Sequence, residues 1–302
     1  MSLRIELNEW DRLSARAIFG DKDVGHALSL IVDAEECFYL ASSAGMLFGL
    51  RLRNGSSVAV KALRPRPGLR EGRVVQQALW ERGFPCPRPL LGPVRLGTGY
   101  AVVDEWVDAE QRDLHESRRR RTAAELLAQL VALAPRLEGL PRALERTGLF
   151  PEPHHPRFDF SRPDGVWIDE IAARVSRLPA DSAELVAGHS DWGARHLGWI
   201  DERIAVVYDW PDSVALDTEE TIVGQASVVF PATWDLPVEP KAATAEESEA
   251  FVAEYEAAVG RQLDRGRVAA AQTYLLAYCA RCELSDLDGA DGDFQTAVRE
   301  HL

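Results

Sequence analysis

The amino-acid sequence predicts an α+β fold with two lobes, in which a small β-rich lobe precedes a larger, mostly helical lobe. Residues 36–104 contain short apolar runs of strand length that are separated by turn residues, with one helical segment among them. Residues 117–283 instead show apolar residues at helical spacing in several long stretches. A short connection at residues 105–109 separates the two patterns, so we place the first lobe at residues 1–107 and the second at residues 108–302. Such a layout favours a ligand site between the lobes.

The first lobe is expected to contain a helix, three strands, a second helix and a final pair of strands. Asn54-Gly55 is a strong signal for a hairpin turn, because both residues readily adopt the backbone angles of tight turns. Gly83, followed by three prolines, is expected to end the second helix. The predicted elements cover residues 7–19, 37–41, 46–52, 58–63, 70–82, 90–95 and 99–104.

The second lobe is expected to be helical over residues 117–134, 167–178, 244–263 and 265–283. A long loop is predicted at residues 149–163. His154 and His155 in this loop lack cysteine or acidic partners at ligand spacing, so we interpret them as loop histidines. Cys279 and Cys282 have the spacing of a metal or redox pair, but they have no second pair and lie within a helical pattern. We therefore interpret these cysteines as helix residues.

Charge is distributed unevenly along the chain, whose formal net charge is −14. Residues 1–107 hold 14 lysines and arginines against 12 acidic residues, whereas residues 108–302 hold 20 against 36. A nucleic-acid partner is not expected, since phosphate binding needs a basic surface. The acidic second lobe suits a cationic small molecule, and it equally suits a surface that only keeps the protein in solution.

Nothing in the sequence indicates a membrane protein. No apolar run is long enough to cross a bilayer, and the charged first residues lack the apolar core of a signal peptide. Four cysteines are too few for a disulfide scaffold. We therefore expect a cytoplasmic protein, either a monomer or a homodimer, without a membrane partner.

Two aspartates follow apolar segments in the second lobe. Asp191 comes shortly after the apolar residues 185–188, and Asp209 follows the apolar residues 204–208, 18 positions beyond Asp191. We expect the two carboxylates to lie at the ends of neighbouring strands and to face one cleft. One can then orient a substrate hydroxyl and accept its proton, while the other holds Mg²⁺ on nucleotide phosphates. Three tryptophans near these acids are expected to fill the core rather than line the cleft, namely Trp199, Trp210 and Trp234.

His189-Ser-Asp191 and Asp209-Trp210 resemble the catalytic loop and the metal-binding motif of the aminoglycoside-phosphotransferase family, which is part of the protein-kinase-like superfamily. The run at residues 217–226 resembles the continuation in that family. The resemblance implies that Asp191 is the catalytic base, Asp209 a metal ligand and His189 a support of the loop. It implies a kinase that transfers the γ-phosphate of ATP, or alternatively of GTP, to a hydroxyl of a small acceptor, with Mg²⁺ as the metal. A cationic or polyol acceptor, such as an aminoglycoside-like compound, would suit the acidic lobe.

Lys61 ends the strand sequence Val58-Ala-Val-Lys61, which matches the strand lysine that contacts nucleotide phosphates in kinases. The chain has 31 arginines and only three lysines, and an ammonium group is a compact charge that suits a phosphate. By the resemblance, an acid on the following helix pairs with this lysine. Glu71, at the start of the predicted helix, is our candidate for that partner, and Glu81 near its end is the alternative.

The nucleotide would also need contacts from the polypeptide backbone. Ser42, Ser43 and Gly45 lie in the turn between the first two strands, where small residues let backbone N–H groups approach phosphate oxygens. Glu105 and Val107 lie in the connection between the lobes. By the resemblance, the backbone of this connection contacts the adenine edge.

His196 stands where the family has an asparagine that offers Mg²⁺ a neutral oxygen. An imidazole nitrogen is a poor ligand for this hard cation, and the chain has no asparagine after Asn54. Three alternatives remain open: catalysis with one well-held metal or with a water beside His196, a preference for Mn²⁺ with His196 as a metal ligand, or a nucleotide-binding pseudoenzyme with a regulatory or scaffold role. Because Lys61, Asp191 and Asp209 are all present, we favour an active enzyme.

Overall fold

The structure is a computed structural model, and it describes residues 3–42, 45–144, 150, 158–176, 184–286 and 292–301. Within these ranges the helices are α1 (Glu9–Phe19), α2 (Val24–Ser29), α3 (Leu69–Glu81), α4 (Ser117–Leu133), α5 (Val166–Ser176), α6 (Glu219–Val229), α7 (Ala245–Val259), α8 (Arg265–Asp286) and α9 (Asp293–Glu300). The strands are β1 (Ala34–Ser42), β2 (Met46–Leu52), β3 (Ser57–Leu63), β4 (Pro89–Leu96), β5 (Gly99–Glu105), β6 (Leu185–His189), β7 (Leu197–Ile200), β8 (Arg203–Val207) and β9 (Val214–Thr218).

The first five strands form one antiparallel sheet in the order β1-β2-β3-β5-β4. Side chains alternate between the two faces of a strand. One face buries Phe48, Val60 and Val103 in a core that also contains residues of α1 and α2. Lys61 follows Val60 and therefore lies on the opposite face, with Val102 of β5 directly across from it. The alternation thus leaves the lysine on the face that the first two helices do not cover.

Helix α3 is attached to the sheet by a buried polar network. The Arg73 guanidinium forms an ion pair with Asp104 of β5 and donates to the backbone carbonyls of Leu91 (2.7 Å) and Val103 (2.6 Å). Gln76 donates to the same carboxylate at 3.1 Å. Burial raises the pKa of Asp104, and the nearby arginine opposes that rise. The network therefore fixes α3 to β5 through side chains that have little contact with water.

The second part of the chain is mainly helical. Helix α4 packs against α7, α6 packs against α8, and α5 and α9 also pack against α8. There are also two two-stranded antiparallel sheets, β6 with β9 and β7 with β8, and the predicted catalytic loops follow β6 and β8. None of the described helices is both long enough and apolar enough to cross a membrane.

The predicted two-lobed α+β fold is confirmed, and most predicted elements lie within a few residues of their expected bounds. The sequence pattern misses α2, α6 and α9, as well as β7 and β9. Helix α6 is buried from Thr221 to Val229, so it lacks the exposed polar face that gives a helix its periodic pattern. Helix α2 has only six residues. Cys279 and Cys282 lie in α8 as predicted, whereas Ser43, His154 and His155 lie outside the described residues.

Candidate active site between the two lobes

Asp191 and Asp209 converge although their strands are not neighbours. Asp191 follows β6, which pairs with β9, whereas Asp209 follows β8, which pairs with β7. The expectation that the two acids follow neighbouring strands was therefore wrong, because β6 and β8 belong to different two-stranded sheets. The two carboxylates and the His196 ring nevertheless place one potential ligand atom each within 4.8 Å of one another. The loops after the strands, rather than the strands themselves, bring the two acids together.

The side chain of Lys61 extends from the sheet of the first lobe and contacts the second lobe. Its ammonium contacts the carboxylates of both Asp209 and Asp212, and the Asp212 side chain is only 3% exposed. Burial alone would lower the pKa of Lys61, but the two carboxylates outweigh it and raise the pKa to about 12. The lysine is therefore a permanent cation at the loop that follows β8.

The expected pairing of Lys61 with an acid on α3 is not found in the described part of the chain. Glu71 is half-buried and its carboxyl group lies beside Gly139. Glu81 is exposed and accepts a hydrogen bond from Gln77 at 2.8 Å. The carboxylates that contact Lys61 come instead from Asp209 and Asp212, in the loop after β8.

Asp209 sits in an unusual backbone conformation. Its φ is 71°, in the left-handed region that aspartate tolerates better than most other residues. Lys61 contacts one carboxylate oxygen, and the hydroxyl of Ser213 donates to the other. Burial alone would raise the pKa of Asp209, but the Lys61 ammonium holds it well below its usual value. Asp209 is therefore ionised and aimed into the space between the lobes.

His189 ties the two acid-bearing loops together. Its Nδ1 accepts a hydrogen bond from the Asp191 backbone N–H at 3.2 Å, and its Nε2 donates to the Tyr208 carbonyl oxygen at 3.1 Å. Both contacts are satisfied by the neutral ring with its proton on Nε2. Burial lowers the pKa of His189 to about 4, and the neighbouring His196 adds to that effect. A neutral imidazole thus holds Asp191 next to the loop that presents Asp209.

Asp191 is held by the two residues at the end of its own loop. Arg195 Nη2 donates to the two Asp191 carboxylate oxygens at 2.7 and 2.6 Å, and His196 Nε2 lies 3.1 Å from one of them. Arg195 Nε also donates to His196 Nε2 at 2.8 Å. Burial alone would raise the pKa of Asp191, but the adjacent Arg195 guanidinium holds it well below its usual value.

Trp234 lies in the site, contrary to the expectation that it fills the core. Its side chain is 59% exposed, and the Arg195 guanidinium carbon lies 4.8 Å from the centre of its ring. Trp199 and Trp210 are each only 2% exposed, as expected for core residues. Trp234 lies in the loop after α6, whereas the side chains of the other two are part of a buried hydrophobic cluster.

The predicted backbone contacts for a nucleotide are partly engaged within the protein. The Ser42 hydroxyl donates to Asp11 of α1 at 2.6 Å, so it is directed toward that helix. An added Cβ on the buried Gly45 would lie 2.7 Å from the Ala62 carbonyl oxygen, so only glycine permits this approach to β3. The Glu105 backbone N–H donates to the Arg88 carbonyl oxygen at 3.0 Å. The Val107 carbonyl accepts from the Tyr208 hydroxyl at 3.0 Å.

Three residues of the site are not singled out by the sequence pattern: Asp212, Ser213 and Arg195. Asp212 and Ser213 lie three and four positions after Asp209, and a short polar pair inside an apolar region is the only signal that points to them. Arg195 is one of 31 arginines, and its importance depends on a contact with Asp191 that spacing does not reveal.

Several solved structures share this architecture over most of their length. An amicoumacin kinase, solved in complex with AMP-PNP, Ca²⁺ and Ami, matches with a TM-score of 0.67 at 12% identity, covering 95% of this chain and 93% of that chain. The choline kinase LicA from Streptococcus pneumoniae matches with a TM-score of 0.59 at 13% identity, covering 91% and 94%. An aminoglycoside-3'-phosphotransferase of type VIII matches with a TM-score of 0.54 at 18% identity, covering 83% and 97%.

No protein-family model matches the chain, and no curated protein matches it in sequence. At identities this low, similarity of structure is informative about the fold. The three alignments cover more than four fifths of each chain, so the similarity includes both the antiparallel sheet and the helical lobe of this protein. The protein therefore has the two-lobed, protein-kinase-like fold of the aminoglycoside phosphotransferases and choline kinases.

Proposed function

We propose that the protein is a small-molecule kinase that transfers the γ-phosphate of ATP to a hydroxyl group of its acceptor, with GTP as the alternative donor. The observation that supports this most directly is the ion pair between Lys61 and Asp209, which lies next to Asp191. One lobe supplies a buried cation and the other supplies two ionised carboxylates within a few ångströms. Phosphoryl transfer needs little more than such positioning and charge stabilisation.

Asp191 is the proposed catalytic base. Its side chain is 34% exposed, so an acceptor hydroxyl can approach it. In the proposed step the acceptor oxygen forms a bond to the γ-phosphorus while the bond to the β,γ-bridging oxygen breaks. The electron pair of that broken bond leaves with the nucleoside diphosphate, and the hydroxyl proton passes to Asp191. The ring of His189 keeps the Asp191 backbone in place during this step.

The residues present fit one divalent cation. Asp209 is the proposed ligand, because it is ionised, partly exposed and adjacent to the lysine that would hold the phosphates. When bound, Mg²⁺ would neutralise phosphate charge at this position. His196 does not fit as a second Mg²⁺ ligand, since it offers a nitrogen whose lone pair already accepts from Arg195. Mn²⁺ accepts nitrogen ligands more readily and is the alternative metal, although it would have to displace Arg195 from the His196 lone pair.

Backbone groups of residues 105–107 are the proposed contact for the base of the nucleotide. The Val107 N–H makes no hydrogen bond to any described residue and is free to meet a ring nitrogen. The Tyr208 hydroxyl holds the neighbouring Val107 carbonyl, which steadies the connection between the lobes. The ring of Trp106 packs against Phe38 and Tyr39, with centroids 4.9 and 5.4 Å apart, and so covers the outer end of this region.

A small cationic or polyol acceptor is the proposed substrate class. Residues 108–302 hold 36 acidic against 20 basic side chains. The proposed base Asp191 lies in this acidic lobe, next to the exposed ring of Trp234. The structural neighbours act on compounds of varied shape, and one of them is a choline kinase. The fold itself therefore does not select one acceptor.

A nucleotide-binding pseudoenzyme is the alternative function. The observation that favours it is the clamp on Asp191, whose carboxylate oxygens both contact Arg195. A base that remained in this ion pair would be a poor acceptor for the substrate proton. Such a protein would bind a nucleotide and respond to it without turnover.

The test compares the wild-type protein with Asp191→Asn in the presence of Mg·ATP and a panel of hydroxyl acceptors. We expect the variant to lose about 10²- to 10⁴-fold in turnover, because it lacks the base, and to keep the rise in melting temperature that ATP induces. Turnover is measured as ADP release, and nucleotide binding by thermal denaturation. A rise in melting temperature without turnover on any acceptor would favour the pseudoenzyme, and the absence of any effect of either ATP or GTP would contradict both functions.

A further inference from the structure

We propose that Arg195 binds the phosphoryl group that is transferred, and that its guanidinium provides the positive charge that a second divalent cation would otherwise provide. This inference rests on the proposed kinase function. It assigns the enzyme one metal ion, at Asp209, and one permanent cation, at Arg195. It also gives a physical reason for the histidine at position 196.

The first observation is the position of the guanidinium among the potential metal ligands. Asp191, His196 and Asp209 each place one such atom within 4.8 Å of the others. Arg195 already contacts two of the three residues, through Nη2 to Asp191 and through Nε to His196 Nε2. A second cation at the same ligand atoms would be repelled by the guanidinium and would find the His196 lone pair engaged.

The second observation is that Arg195 is held from its other side. Its guanidinium carbon lies 4.8 Å from the centre of the Trp234 ring, within the range of a cation–π contact. The arginine side chain is 30% exposed, so it is neither free in solvent nor sealed inside the protein. Asp191, His196 and Trp234 together fix the guanidinium plane next to the proposed base.

The third observation concerns the donors that remain. Arginine has five N–H donors in a planar fork that matches the oxygens of a phosphate group. Nε and Nη2 bond to His196 and Asp191, whereas Nη1 makes no hydrogen bond to any described residue, and the side chain as a whole is 30% exposed. Nη1 carries two N–H donors. They lie beside the Asp191 carboxylate, which would receive the proton of the acceptor hydroxyl. A γ-phosphate oxygen at this place would be bound by a group that also holds the base.

The inference also explains why the clamp on Asp191 is compatible with catalysis. The guanidinium does not have to leave when substrates bind. It can keep its contact with one carboxylate oxygen and bind the phosphoryl group through Nη1, while the other carboxylate oxygen meets the acceptor hydroxyl. Arg195 then contacts both Asp191 and the phosphoryl group that is transferred. Its positive charge stays in place as negative charge spreads over the phosphoryl oxygens.

A nucleotide-binding experiment separates this role from a structural one. The affinities of AMP-PNP and ADP are measured by calorimetry in Mg²⁺ for the wild type, Arg195→Ala, Arg195→Lys and Arg118→Ala. The Arg118 side chain is 73% exposed and lies on α4, so this variant is the matched control for loss of one arginine. We expect Arg195→Ala to weaken AMP-PNP binding about ten- to a hundredfold and to leave ADP binding within about twofold, since only AMP-PNP has a γ-phosphoryl group. Arg195→Lys should recover part of the loss.

Unchanged ADP affinity also shows that the Arg195→Ala site remains folded. A variant that binds both nucleotides as the wild type does, or that weakens both equally, would overturn the inference and leave the proposed kinase function standing. Absence of binding of either nucleotide by the wild type would instead contradict the proposed use of ATP, and the inference with it.

The number of bound metal ions gives a second, independent measurement. Mn²⁺ is titrated against each protein at saturating AMP-PNP and followed by electron paramagnetic resonance. We expect one bound Mn²⁺ per chain in the wild type, and two in the double variant Arg195→Ala/His196→Asn, which removes the guanidinium and restores an oxygen ligand. Two Mn²⁺ ions in the wild type would show that Arg195 does not take the place of a metal.

Discussion

At the residue scale, the most informative contact is the one that Lys61 makes. The residue pattern of β3 indicates a phosphate-binding lysine, and helix α3 is expected to supply its acidic partner. The structure supplies that partner from the other lobe, through Asp209 and Asp212. Asp212 also contacts Arg66 at 2.8 Å, so one buried carboxylate joins β3 to the segment that precedes α3. We infer that Asp212 is a positioning residue for Lys61.

Asp212→Asn is expected to raise the KM for ATP about tenfold with a smaller effect on kcat. The substitution removes one of two charges that hold the Lys61 ammonium, while the proposed metal ligand Asp209 remains. Steady-state kinetics at varied ATP provide the measurement. Asp201→Asn is the matched control, because Asp201 is exposed and its φ of 55° suits asparagine. Equal KM values for the Asp212 variant and the wild type would contradict this role.

At the element scale, α3 has two attachments that a helix pattern does not reveal. Arg73 joins it to β5 through a buried ion pair with Asp104. Gly72 lets the helix backbone approach the loop that follows Asp209, where an added Cβ would lie 2.1 Å from the Pro211 carbonyl oxygen. The helix therefore connects the sheet to the loop that presents the proposed metal ligand.

Arg73→Met is expected to lower the free energy of unfolding by about 3–5 kcal/mol, because it leaves the Asp104 carboxylate buried without its charged partner. Urea denaturation monitored by circular dichroism provides the measurement. The double variant Arg73→Met/Asp104→Leu should regain part of the loss, since no unpaired charge remains. A single variant as stable as the wild type would show that the pair does not hold α3.

Gly72→Ala is expected to destabilise the protein, although alanine is the better helix former by about 1 kcal/mol. The new methyl group would force α3 away from Pro211, so ATP affinity should fall together with the melting temperature. Gly266→Ala in α8 is the control, because an added Cβ there meets only one Asp264 carboxylate oxygen, at 3.2 Å. If Gly72→Ala were as stable as this control, the close contact would not matter.

At the scale of the whole molecule, the segment after residue 105 fastens the sheet to the helical lobe. The backbone of Glu110 exchanges two hydrogen bonds with Trp199 of β7, at 2.7 and 3.0 Å. Further along, His115 Nδ1 lies 2.6 Å from a Glu247 carboxylate oxygen, and its Nε2 lies 2.9 Å from the Pro240 carbonyl oxygen. Both partners are acceptors, so the ring makes both contacts best when both nitrogens are protonated.

This arrangement predicts a pH-dependent contribution to stability. Burial alone would lower the pKa of His115, but the hydrogen bonds to Glu247 and Pro240 outweigh it and raise the pKa. Because the folded-state pKa is above the unfolded value, the contribution is fully present below about pH 6.5 and is lost as pH rises through the folded-state pKa. The gap in melting temperature between the wild type and His115→Gln should therefore be larger at about pH 6 than at about pH 8.5. A gap that stays constant, or that widens at alkaline pH, would exclude this contribution.

The sequence by itself determined the two-lobed α+β architecture, the order of most helices and strands, and the identity of three chemically distinctive residues, Lys61, Asp191 and Asp209. These features follow from local properties. Helical and strand periodicity depend on residues a few positions apart, and a lysine among strand valines or an aspartate after an apolar run is visible in a short window.

Only the tertiary structure decided which charges meet. The ion pair between Lys61 and Asp212 joins residues 151 positions apart, and the two strands that precede Asp191 and Asp209 prove to have separate partners. Helix α6 is missed because the helices and strands packed around it bury it from Thr221 onward, and Trp234, in the loop after α6, is exposed and contacts Arg195. Such contacts depend on the path of the whole chain, since an ion pair forms wherever folding brings two side chains within a few ångströms, whatever their separation in sequence.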